Sequence, residues 1–174
     1  MDNFKTIFES RYTWIEGFMR NVRRYARRLA MIDSETDQSW TYSELNNDTN
    51  RLCNVLAKDN IHKSDVIMVQ LLNCPEFVFG YVASHKMHAV FCPVNYRLSP
   101  GELAENISDS KPKVLMFDKD HKENVLVALG ISGHKPQRLI VTDGDTDEQN
   151  GIISYKEYVA GSPATEPAYT IDYN

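Results

Sequence analysis

Between Asp65 and Phe117 the chain alternates apolar runs with capped amphipathic stretches, and this alternation restricts the fold more than any other feature. Val66-Ile67-Met68-Val69-Gln70-Leu71-Leu72 is apolar at nearly every position, not at every second one. A strand has that pattern when both its faces are buried, as in parallel sheets covered by helices. Pro75 follows at a first helical position, where its missing N–H costs no hydrogen bond. Phe77, Val78, Tyr81, Val82 and His85 then form one helical stripe. Ala89 to Val94 gives a second strand. Ser99-Pro100-Gly101-Glu102 combines cap, proline and reach-back glutamate, which starts a helix with Leu103 and Ile107 facing inward. Val114 to Phe117 is a third strand, a weaker helix lies near His121 to Leu129, and Arg138 to Thr142 is a fourth strand. Such a series implies right-handed crossovers. The expected fold is α/β: a parallel sheet of about four strands with helices on both faces, Rossmann-like.

Upstream, the spacing of Ile15, Phe18, Met19, Val22 and Tyr25 predicts a helix from about Tyr12 to Arg28. Ala30-Met31-Ile32 and Ser39-Trp40-Thr41, separated by the polar stretch Asp33 to Gln38, predict a short amino-terminal β-hairpin. Thr41-Tyr42-Ser43-Glu44 has the capping-box pattern. It opens a helix with Leu45, Thr49, Leu52, Cys53 and Leu56 on one stripe and Asn60 as a left-handed stop. From Gly161 the chain is polar and carries Pro163 and Pro167. Residues 1–160 are therefore expected to form one α/β unit and 161–174 a linker or cut end. Phe4, Phe8, Tyr12, Tyr155, Tyr158, Tyr169 and Tyr173 fall outside the regular patterning. At least one end is expected to lie across a neighbouring copy or to be weakly anchored, so that the chain self-associates.

With 174 residues the chain fits one domain with a real core. Its net charge of −5 lacks the basic footprint of a nucleic-acid binder. Arg20, Arg23, Arg24, Arg27 and Arg28 crowd one segment, which reads as a solvated helix face. The three cysteines, Cys53, Cys74 and Cys92, are odd in number and each lies in an apolar stretch. That suits reduced thiols in a cytoplasmic protein better than a disulfide framework. No apolar run approaches the ~20 residues that cross a bilayer, and the start lacks the pattern of a secretory signal.

Chemistry-bearing motifs are scarce. Neither the dinucleotide nor the Walker glycine spacing occurs, and the turn after Leu72 is Asn73-Cys74-Pro75. Asp143-Gly144-Asp145-Thr146-Asp147 begins like a calcium loop, but Glu148 and Ser154 stand where Gly and a bidentate Glu belong. His85, His88 and Cys92 are close in sequence without the further ligands of a tetrahedral metal site. Read alone, the residues give an α/β domain without a self-evident active site.

The wording of the chain adds to this. Trp40-Thr41-Tyr42-Ser43-Glu44-Leu45 comes first, then Asp65-Val66 and Leu72-Asn73-Cys74-Pro75-Glu76-Phe77. His85-Lys86-Met87-His88-Ala89-Val90, Pro93-Val94-Asn95-Tyr96-Arg97-Leu98 and Ser99 to Leu103 follow, then Asp109-Ser110 and Lys113-Val114. In this order and spacing, over about residues 12 to 142, they resemble the amino-terminal part of the AMP-forming acyl-CoA synthetases, the adenylate-forming enzymes. Ser64 and His88 depart from the family's pattern, which has glycine at both turns. The resemblance implies a parent enzyme that uses ATP, Mg and CoA. That enzyme activates a fatty or aryl carboxylic acid as its adenylate and passes it to the CoA thiol. It also implies that the phosphate loop, later nucleotide-binding acids and catalytic lysine lie beyond Asn174. The 174-residue chain alone is then expected to be inactive, with no catalytic residue of its own, no cofactor, and the remainder of the parent enzyme as its partner. Lys119, His121 and Lys122 fall in the loop after Val114 to Phe117, where the resemblance implies one edge of a CoA nucleotide site; Arg97 lies just beyond another strand end, the side where α/β sheets bind ligands, and the other reading of all four is exposed surface cations. Two other readings stay open: a freestanding non-catalytic binding module on the same scaffold, and part of an amino-acid-adenylating domain. The latter branch more often carries Asp at the place of Asn95.

Overall fold

The computed structural model describes residues 13–167. Helix α1 (Trp14–Tyr25) starts at Thr13, whose Oγ1 accepts from the Glu16 amide at 3.3 Å. Strands β1 (Leu29–Ile32) and β2 (Ser39–Thr41) form the expected antiparallel hairpin. Thr41 and Glu44 close the capping box of α2 (Tyr42–Lys58), with Glu44 Oε2 accepting from the Thr41 amide at 2.8 Å.

The series then runs β3 (Val66–Gln70), α3 (Pro75–Met87), β4 (Val90–Pro93), α4 (Pro100–Ser110), β5 (Val114–Phe117), α5 (Lys122–Ser132) and β6 (Arg138–Val141). A 3-10 turn (Lys119–His121) precedes α5. The sheet has a fifth strand, β7 (Ile152–Ser154), followed by α6 (Tyr155–Val159). These two elements are too short for a periodic signal, so the expected count of about four strands falls one short. Strand order is β4-β3-β5-β6-β7 with every neighbouring pair parallel.

Side-chain alternation along the strands divides the core. Ile67 and Val69 of β3, Val114 and Met116 of β5, and Ile140 of β6 pack with α1, α2, α3 and α6. Met68, Leu115, Phe117, Leu139 and Val141 face α4 and α5. This is why β3 is apolar at consecutive positions: its side chains enter two cores in turn. Burying a Leu, Ile or Phe of this kind stabilises the fold by about 1.5–3 kcal/mol.

Tyr155 and Tyr158, unpatterned in the sequence, are buried against α2 and α3 within their own chain. Phe4, Phe8, Tyr12, Tyr169 and Tyr173 lie outside the described residues. His85 is half-buried, with Trp14 and Tyr81 ring centroids 5.0 and 4.3 Å away. Arg20, Arg23, Arg24, Arg27 and Arg28 are exposed, the last four on or just beyond the final turns of α1. Cys53 is buried, and Cys74 and Cys92 are half-buried. Among the described residues no helix is long and apolar enough to cross a membrane.

Candidate functional site

The chain passes from β3 outward to β4, then returns to β5 on the other side of β3. The order of strands therefore reverses at the β3–β5 pair. Loops leaving the carboxyl ends of these two strands diverge, and such switch points are where open α/β sheets bind ligands.

Gln70, the last residue of β3, is fully buried at this edge. Its Nε2 donates to the Tyr96 carbonyl at 3.5 Å, which ties β3 to the loop after β4. That loop is shaped by Asn95, whose Oδ1 accepts from the Arg97 amide at 3.0 Å. The Arg97 guanidinium lies 5.1 Å from the centre of the Tyr96 ring. Tyr96 in turn meets His121 edge-on at 6.2 Å. Asp118, the first residue beyond β5, accepts on Oδ1 from the His121 amide at 3.2 Å and from His121 Nδ1 at 2.5 Å. On α5, Asn124 donates from Nδ2 to the Leu98 carbonyl at 2.8 Å.

Three buried acceptors at this edge have no hydrogen-bond partner among the described residues: Gln70 Oε1, Asp118 Oδ2 and Asn124 Oδ1. A buried acceptor left without a donor costs about 1–3 kcal/mol.

The neighbouring cleft, about 690 Å³, is lined by Lys119, Lys122, Asp143, Asp145, Asp147 and Glu148 among others. Asp143 accepts from the Lys119 amide at 2.7 Å and lies 3.6 Å from Lys119 Nζ. Lys122 Nζ is 2.6 Å from Asp147 Oδ2. That hydrogen bond, with a second from Asn150, holds the Asp147 carboxyl down at about 2. Gly144 lets the loop lie flat here, since a Cβ would stand 2.9 Å from a Val141 methyl. Glu76, in the first turn of α3, is pushed up from its ordinary value by burial, with Asp143 and Asp33 adding repulsion.

The four cations singled out from sequence thus occupy neighbouring loops of one sheet edge, though not one cluster. Arg97 and His121 are linked through Tyr96, whereas Lys119 and Lys122 stand in the adjoining cleft. There, four carboxylates face two ammonium groups, and both ammonium groups are already paired. As it stands, the cleft does not fit a phosphate. Arg97 is the one cation of the four without a carboxylate partner among the described residues. The β3–α3 turn places Pro75 at its first helical position, which removes one main-chain donor that a phosphate would use.

Sequence reasoning missed Gln70, Tyr96, Asp118 and Asn124. Asp118-x-x-His121 is a cap spacing visible in the sequence. Gln70 is a polar residue closing an apolar strand, and that too was a signal.

Comparison with known proteins matches residues 18–171 to the family described as AMP-binding enzyme. The 3-hydroxybenzoate/4-hydroxybenzoate–CoA ligase of Thauera aromatica is 30% identical over 138 residues, 79% of this chain and 26% of that protein. The crotonobetaine/carnitine–CoA ligase of Proteus mirabilis is 27% identical over 146 residues, 81% of this chain and 28% of that protein. The chain therefore spans about a quarter of the length of these relatives. In three dimensions, an anthranilate CoA ligase in complex with anthranoyl-AMP superposes with a TM-score of 0.82 at 19% identity, covering 91% of this chain and 30% of that one. A benzoate CoA ligase from Burkholderia xenovorans gives 0.74 at 21% identity, again over 91% of this chain and 30% of the other.

Proposed function

Because the chain belongs to the AMP-binding enzyme family, we propose that it is the amino-terminal α/β part of an acid–CoA ligase. The parent enzyme activates an aromatic or fatty carboxylic acid with ATP and Mg and transfers the acyl group to CoA. The observation that carries this reading is the family match over residues 18–171, on a fold that superposes on an anthranilate CoA ligase with a TM-score of 0.82. The relative named as a hydroxybenzoate–CoA ligase supports the aromatic branch.

In this reading the chain supplies scaffold and one rim of the CoA site, and the phosphate-handling groups come from the rest of the enzyme. Stabilising charge on transferring phosphates needs preorganised donors and metal, and the switch-point edge described above offers acceptors and carboxylates instead. Arg97 is the rim cation placed to meet a CoA phosphate. Lys119, His121 and Lys122 join it only by leaving their carboxylate partners.

The test is pyrophosphate release from ATP with benzoate, 4-hydroxybenzoate and a medium-chain fatty acid. It is run on the 174-residue chain and on the product of the whole source reading frame. Acid-dependent release and CoA thioester formation are expected from the whole product, and none above a heat-killed control from the 174-residue chain. A whole product that releases no pyrophosphate with any acid overturns the ligase reading. In the active enzyme, Arg97→Ala is expected to raise KM for CoA about tenfold, equivalent to one charge-assisted contact, and to leave KM for ATP unchanged. An unchanged KM for CoA removes Arg97 from the site.

A further inference from the structure

Residues Ser162 to Glu166 lie along α2 as a strap running opposite to the helix. Arg51 Nη1 donates to the Ser162 carbonyl at 3.2 Å. Asn54 Nδ2 donates to the carbonyls of Pro163 at 2.8 Å and Thr165 at 3.0 Å. Asn50 Nδ2 donates to the Ala164 carbonyl at 3.0 Å and to Glu166 Oε2 at 3.1 Å. Asn46 Nδ2 reaches the same Glu166 oxygen at 3.2 Å. The three asparagines are four residues apart, which sets them one above another on a single face of α2.

Lys86 on α3 explains why the Asn46 and Asn50 amide NH₂ groups point outward. Its side chain is 3% exposed, and its Nζ lies 2.8 Å from both Asn46 Oδ1 and Asn50 Oδ1. An ammonium has donors and no acceptor, so each amide must turn its oxygen inward to Lys86 and its NH₂ outward to the strap. The third acceptor of Lys86, and its ion-pair partner among the described residues, is Glu166 Oε1. Removing that carboxylate leaves a buried cation uncompensated, which is among the more destabilising changes a fold can suffer.

We propose that this array is a latch: Lys86 polarises Asn46 and Asn50, and they hold residues 162–166 closed through Glu166. The strap docks and releases as one unit, and it fixes the point from which the chain continues past Pro167. The carbonyl contacts through Asn54 and Arg51 depend on the same attachment, because they engage a segment only four residues from Glu166. The inference does not rest on the ligase reading, since it concerns only contacts within the described residues.

Native-state proteolysis of the 174-residue chain tests it, with cleavage inside residues 160–167 followed by mass spectrometry. At low protease concentration the cleavage rate follows the population of the open form. Slow cleavage is expected in the unmodified chain, with a rise of at least tenfold in Glu166→Ala and in Lys86→Met. Asn54→Ala, which leaves the buried ion pair intact, is expected to speed cleavage throughout the same stretch. Cleavage of the unmodified strap at the rate of the variants overturns the latch. Fast cleavage in Glu166→Ala with none gained in Asn54→Ala overturns release as one unit. If Lys86→Met fails to fold, the other two variants decide both points.

Discussion

Asp59 joins three elements. It accepts on both carboxylate oxygens from Arg138, at 2.6 and 2.8 Å, and from the Tyr158 hydroxyl at 2.7 Å. Burial alone would raise its pKa; the Arg138 and Tyr158 hydrogen bonds outweigh that and hold it below its ordinary value of 3.8. A depressed folded-state pKa contributes stability that is fully present above the unfolded value and is lost as pH falls through the folded one. The urea midpoint is therefore expected to hold from pH 7 down to about 5 and to fall below about pH 4. Asp59→Asn should lower stability by about 1–2 kcal/mol at pH 7 and make the acid fall shallower; an equally steep fall in that variant would assign the effect to other carboxylates. A second residue-scale expectation concerns Cys53, where burial pushes the thiol up to about 12. Only the thiolate reacts with alkylating agents, so iodoacetamide at pH 8 should leave Cys53 unmodified in the folded chain and label it in urea.

At the scale of elements, the two departures from the family's glycines fall where backbone geometry says they should. Ser64 has φ +68° and His88 has φ +55°, and the Ser64 amide donates to the His88 carbonyl at 2.9 Å. A side chain in the left-handed region costs about 1 kcal/mol or more. Ser64→Gly and His88→Gly are each expected to stabilise the chain by about 0.5–1 kcal/mol, read from thermal or urea unfolding; a loss of stability in either would mean that its side chain makes a compensating contact. Most elements were legible because their signals are local: the boxes Thr41–Glu44 and Ser99–Glu102, Pro75 at a first turn, and doubly buried strands. β7 and α6 were not, since three and five residues carry no period. Their one signal was Ser154-x-x-Glu157, the same spacing as the other caps, and Ser154 Oγ does accept from the Glu157 amide at 3.2 Å.

At the scale of the whole molecule, family and fold were readable from the order of motifs, whereas the site was only partly so. Sequence singles out cations, but their neutralisation depends on acids such as Asp143 that lie 24 residues from Lys119 and arrive through the sheet. The outer face of α5 exposes Val127 and Ile131, 52% and 62% accessible, one turn apart. They are the apolar surface of α5 on which a contact between copies would form. Sedimentation at high protein concentration should show reversible self-association that Val127→Lys with Ile131→Lys abolishes; a monomer at all concentrations would mean that these residues contribute nothing to assembly. The ion pair between Lys86 and Glu166 spans 80 positions of sequence, and this separation has a meaning for biosynthesis. A ribosome adds about 5–20 residues per second, so Lys86 is made about 4–16 s before Glu166. Until Glu166 is made, the Lys86 ammonium has only the Asn46 and Asn50 amide oxygens, and no carboxylate, as acceptors in this array. Strap closure through this pair can therefore follow, and cannot precede, synthesis of every strand of the sheet.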